Sequence, residues 1–82
     1  MQKQRVLQLN LSGLIEAFAG KKWKFFDIDE NKKMVTVEDR ISDRESYIVE
    51  LSYANEAELD DIEKKLIDAG FIQQKIRIVS LY

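Results

Sequence analysis

Residues 55–78, NEAELDDIEKKLIDAGFIQQKIRI, carry a helix, its stop and a following strand, and they decide the fold class. Asn55 suits an N-cap, and Glu58, three residues on, is placed to reach back as in a capping box. Glu56 and Glu58 lie where the helix dipole is positive. Leu59, Ile62 and Leu66 recur at i, i+3 and i+7, while Asp60 with Lys64 and Asp61 with Lys65 form i,i+4 pairs on the opposite side. This spacing predicts a helix over 55–69. Gly70 supplies a left-handed stop, from which Phe71 can fold back on Leu66. Beyond it Ile72, Ile76 and Ile78 alternate with Gln73, Lys75 and Arg77, the pattern of a strand with one buried face.

Toward the N-terminus, Tyr47, Val49, Leu51 and Tyr53, set off by Ser46, Glu50 and Ser52, predict a second strand. Residues 22–29 and 33–38 read as two more, flanking the polar Glu30-Asn31-Lys32 in a hairpin. Residues 39–45 read as a charged loop. The first twenty residues fit two patterns: Leu7, Leu9 and Leu11 alternate as a strand, yet Leu7, Leu11, Leu14, Ile15 and Phe18 share a helical face. Strand followed by short helix is preferred, because Asn10, Ser12 and Gly13 are poor helix-interior residues, whereas Ser12 suits a cap and Gly20 a stop. The predicted order is strand, helix, hairpin, strand, helix, strand. Burying these apolar stripes together calls for a two-layer α+β domain over residues 1–82, its helices on one face of a mostly antiparallel sheet.

Composition narrows the chemistry. Among 82 residues there is no cysteine and no histidine, which removes disulfides, thiolate nucleophiles and the commonest transition-metal ligand. No catalytic residue and no cofactor site is assigned. The carboxylates of Leu59-Asp60-Asp61-Ile62-Glu63 read as the water-facing side of a helix rather than as an acid–base pair. No apolar run approaches the ~20 residues needed to cross a bilayer, and residues 1–5 lead into no signal-like apolar block. The expectation is a cytoplasmic domain that does not itself insert in membranes. A net charge of −2 argues against nucleic acid, usually met by a strongly basic domain.

Two local patterns remain. Trp23 and Phe25 fall on one face of the first hairpin strand, with Phe26 and Ile28 on the other, so both faces are apolar where a two-layer domain covers only one. Trp23 and Phe25 are therefore candidates for an interaction surface. Lys21, Lys22 and Lys24 beside them read as a solvated edge rather than a phosphate track. The second pattern places Asp27, Asp29, Asn31 and Glu38 at positions one, three, five and twelve of a segment that resembles the calcium loop of EF-hand proteins. Lys32 stands where that loop wants glycine, and Met34-Val35-Thr36-Val37 is a strand sequence where a helix should begin, so a hairpin carrying carboxylates in its turn is the better reading.

The element order resembles ferredoxin-like and ACT-like regulatory folds. From residue 7 to residue 81 the rhythm is similar to the C-terminal domain of MgtC-type membrane proteins, through Glu58-Leu59-Asp60-Asp61-Ile62, Lys65-Leu66 and a final strand. Ile62 to Phe71, closing in Asp68-Ala69-Gly70-Phe71, also looks like the last helix of heavy-metal-associated domains, whose Cys-x-x-Cys pair this chain lacks, so metal transfer is not implied. The first resemblance implies a regulatory or oligomerising module. The functional expectation is a non-enzymatic regulatory or protein-interaction domain, bound to a protein partner or to itself as a dimer through its sheet. The alternatives are a small-ligand or calcium sensor and a free-standing small inhibitor.

Overall fold

The computed structural model describes residues 3–75. Strand β1 (Lys3–Leu7) leads to helix α1 (Leu11–Ala17), then to strands β2 (Lys24–Asp29), β3 (Met34–Arg40) and β4 (Glu45–Ser52), helix α2 (Glu56–Asp68) and strand β5 (Ile72–Gln73). This is the order expected from the sequence. Among the described residues no helix is long and apolar enough to cross a membrane.

Helix α2 ends where its local chemistry dictates. The Glu58 N–H donates to Asn55 Oδ1 at 2.9 Å, and Glu58 Oε2 accepts the N–H of Ala54, one residue before the cap, also at 2.9 Å. At the other end the Phe71 N–H donates to the Leu66 carbonyl and the Gly70 N–H to that of Ile67, with Gly70 at φ +91°. These two bonds form a Schellman stop, which turns Phe71 back onto Leu66 in the core. Asp61 and Lys65 close one of the expected i,i+4 pairs at 3.0 Å.

Helix α1 is capped by Asn10 rather than by Ser12. Asn10 Oδ1 accepts the Gly13 N–H at 2.7 Å, and a β-carbon on Gly13 would meet that oxygen at 3.0 Å. The glycine that counts against a helix interior is thus what lets the cap approach so closely. Its place is the third helical position, where the propensity cost is outweighed by a satisfied N–H.

Three consecutive antiparallel strands, β2, β3 and β4, form the middle of the sheet, in the order β1-β4-β3-β2-β5. Short turns join them, so among the described residues β1 and β5 are left the two edges, where each pairs in parallel, with β4 and β2 respectively. The sheet is therefore mixed, an antiparallel centre with a parallel pairing on either side. A helix between two strands of one sheet returns the chain in its original direction, which makes both edge pairings parallel. The β1-α1-β2 crossover passes β4 and β3, and the β4-α2-β5 crossover passes β3 and β2. Both step across the sheet in the same direction with their helices on the same face, so both have the same hand.

Register separates the two faces. Leu7, Val49, Val37 and Phe26 form one cross-strand row, with Leu51, Val35 and Ile28 in the next. Leu14 and Leu66 of the helices and Phe18 at the C-cap of α1 pack on these rows, together with Tyr53 and Phe71. The opposite face carries the row Val6, Ile48, Glu38, Phe25 and Ile72. Two expectations are corrected here. Residues 39–45 are not all loop, because Asp39 and Arg40 pair with Tyr47 and Ser46 at the end of β3, and Glu45 opens β4. Ile72 is 56% exposed, since the Schellman turn delivers Phe71, not Ile72, to the core. The expected continuation of that strand at Ile76 and Ile78 lies outside the described residues.

Candidate functional site

The candidate site lies where the chain enters β2 and leaves β3. The Arg40 N–H donates to the Trp23 carbonyl at 2.9 Å, extending the hairpin ladder one step beyond the Lys24–Asp39 pair. That bond fixes the backbone of Trp23 against Arg40, while the residue stays 53% exposed. Ile41, next in sequence to Arg40, is 47% exposed. Lys21, Lys22, Trp23, Asp39, Arg40 and Ile41 line an open concavity of 420 Å³, within the usual size of small binding pockets, ~300–1,000 Å³.

The charges around it are unequally presented. Lys21 and Lys22 are exposed. Lys24 points to the helical side instead, its ammonium donating to the Ala69 carbonyl at 2.8 Å and lying 5.0 Å from the centre of the Phe71 ring. The Arg40 guanidinium binds Glu38 Oε1 at 2.9 Å and sits 4.7 Å from the centre of the Phe25 ring. Asp39 is buried, and its Oδ2 has no hydrogen-bond partner among the described residues. Desolvation pushes its carboxyl above the ordinary value, against the pull of Lys21 and Lys24 and with a small further push from Glu38.

Trp23 and Phe25, grouped by the sequence, therefore differ in what they offer. Trp23 is exposed, whereas Phe25 is half-buried beneath Arg40. Ile41 and Asp39 were absent from the sequence-derived site because charge density marked their stretch as a loop. The one apolar residue in that stretch, Ile41, is the signal that would have found it.

The residues of the calcium-loop pattern are employed elsewhere. Asp29 Oδ1 accepts the N–H groups of Asn31 and Lys32, at 3.0 and 3.1 Å, and so closes the hairpin turn. Asp27 lies opposite Thr36, and Glu38 is buried in β3 with its carboxylate on Arg40. Among the described residues no three acidic side chains converge as a cation would require. A further concavity of 320 Å³ at the β3–β4 turn is lined by Glu38, Asp43 and Glu45 and equally by Arg40, Arg44 and Lys75, so it favours ligands of neither sign. Asp60 on α2 is exposed, and Asp61 is held by Lys65. Compared with known families, with characterised proteins and with solved structures, this chain matches none.

Proposed function

We propose that this chain is a non-enzymatic protein-interaction domain of the regulatory kind, acting in the cytoplasm, whose contact surface is the concavity beside Trp23. The observation that carries this reading is that Trp23 and Ile41, both about half exposed, line the same concavity on a ladder-fixed backbone. Leaving a large aromatic and a branched aliphatic side chain together in water forgoes stabilisation, on the order of 1.5–3 kcal/mol for each side chain fully buried, in a domain with little to spare. Tryptophan is a favoured anchor at protein interfaces. The absence of histidine and cysteine from the sequence and the solvated acids of α2 support a role in binding rather than chemistry.

The ACT-like and ferredoxin-like reading, with the likeness to MgtC-type C-terminal domains, belongs to the same proposal. It is supported by two helices over one face of a sheet, and it adds self-association as a second reading. A specific observation favours that second reading: Val6 and Ile72, at opposite edges of the sheet, are 53% and 56% exposed in the register row of Phe25.

The test is partner capture from the native source with wild type and Trp23→Ala side by side, followed by titration of each identified partner against the fluorescence of the single tryptophan. An emission shift on binding, with binding lost in Trp23→Ala, supports the reading. A partner that binds both proteins equally moves the interface away from this concavity. Sedimentation velocity over a range of concentrations addresses self-association, and a monomer throughout removes the dimer.

A further inference from the structure

We infer that the concavity takes an acidic peptide segment of another protein, one that seats an apolar side chain against Trp23 and Ile41 between carboxylates directed at Lys21 and Lys22. This rests on the interaction reading above and names the chemistry of the partner. The argument is one of charge and of what each group has left to give. Lys24 is committed to the Ala69 carbonyl and Arg40 to Glu38 and the Phe25 ring. Asp39 lines the concavity but is 2% exposed, so it offers an incoming chain almost no surface, and its carboxylate faces Lys21 as well as Lys24. The two exposed lysines therefore set the sign of the rim, on a protein whose net charge is −2. Such local contrast favours encounter with acidic sequences and disfavours basic ones.

A single strand of nucleic acid also carries negative charge, but it binds by stacking successive bases on several rings along a basic track. Among the described residues one ring is offered at this site, since the neighbouring Phe25 is half-buried with Arg40 over it. A single apolar anchor flanked by charges is the recognition mode of a peptide.

The experiment is selection of a displayed random peptide library on the immobilised wild-type chain, with Trp23→Ala and the double variant Lys21→Glu/Lys22→Glu as comparison targets. All three altered side chains are exposed, and circular dichroism checks that the variants keep the wild-type fold. Enriched peptides are expected to place Asp or Glu around Leu, Ile or Phe and to shift the Trp23 emission. Their affinity is expected to fall about thirtyfold in Trp23→Ala and about tenfold in the lysine-reversal variant.

Peptides that depend on Trp23 but show no excess of acids, or that ignore the lysine reversal, overturn the acidic partner while leaving the interaction surface standing. A selection that yields nothing dependent on Trp23 overturns both. Two parallel measurements give the remaining occupants their chance. Quenching of Trp23 by an oligothymidylate strand, with an affinity above that of any selected peptide, replaces the peptide with nucleic acid. A wild-type dimer that Trp23→Ala dissolves assigns the concavity to a second copy of this chain.

Discussion

Lys24 and Ala69, 45 residues apart in sequence, meet at 2.8 Å where the lysine ammonium donates to the last carbonyl region of α2. The bond ties the start of β2 to the C-terminal end of the helix, where the dipole is negative and a cation is favoured. The ammonium also lies over the Phe71 ring, so one side chain joins strand, helix end and core.

Lys24→Met, which keeps the length of the side chain and removes its charge, is expected to lower stability by about 1–2 kcal/mol. Urea unfolding monitored by circular dichroism measures it, and an unchanged midpoint would show that the carbonyl is equally well served by water. Gly70→Ala is expected to cost at least as much as Gly20→Ala, on the order of 1–2 kcal/mol for the left-handed backbone alone. Both glycines have positive φ, but a β-carbon at Gly70 would come within 3.4 Å of the Lys24 ammonium while one at Gly20 meets nothing within 4 Å.

Asp39 predicts a pH dependence whose sign follows from its burial. Its carboxyl is raised above the ordinary 3.8, so between that value and its native-state pKa the folded chain holds a proton that the unfolded chain has released. Its contribution to stability is full below the unfolded value, falls as pH rises through this window and is level above the native-state value. Asp39→Asn lacks that titration, so its stability relative to wild type is expected to improve with pH across the window and then level off. Urea midpoints of both proteins from about pH 3 to 7 measure the difference. A difference that is flat with pH would mean that Lys21 and Lys24 compensate the burial in full.

Asp29→Ala removes the acceptor that holds two turn N–H groups and is expected to cost ~1 kcal/mol. In a domain of this size that lowers the melting temperature by about 4–8 °C. The loss should be the same with calcium or with chelator, because the carboxylate is engaged with the backbone of its own turn. Calcium-dependent stabilisation of the wild type that disappears in Asp29→Ala would restore the sensor reading.

The legible part of the structure is the part whose causes are local. Asn55, Glu58, Gly70 and Phe71 announce both ends of α2 because every partner in those caps lies within five residues along the chain. The hairpin turn is legible at 30–32 because its partners are local, Asp29 binding N–H groups two and three residues away, but Lys33, expected to open the next strand, belongs to the turn with φ +51°. The charged appearance of residues 39–45 misleads, because charge is a property of side chains while the ladder to β4 uses the backbone. Only the pairing of Asp39 with Tyr47 shows that this carboxylate is carried into the interior. The cap of α1 misleads through Gly13, whose helix-breaking tendency counts for less than the space it leaves for Asn10.

By itself the sequence determined the order of the elements and the two-layer α+β class, since periodicity and capping act over one or two turns of chain. Tertiary structure decided the strand order, the commitment of Lys24 to Ala69 and of Arg40 to Phe25, and the meeting of Trp23 with Ile41. Those pairings depend on which strands are left to take the edges once β2, β3 and β4 have claimed the centre, a competition for hydrogen-bonding partners that no single stretch of sequence contains.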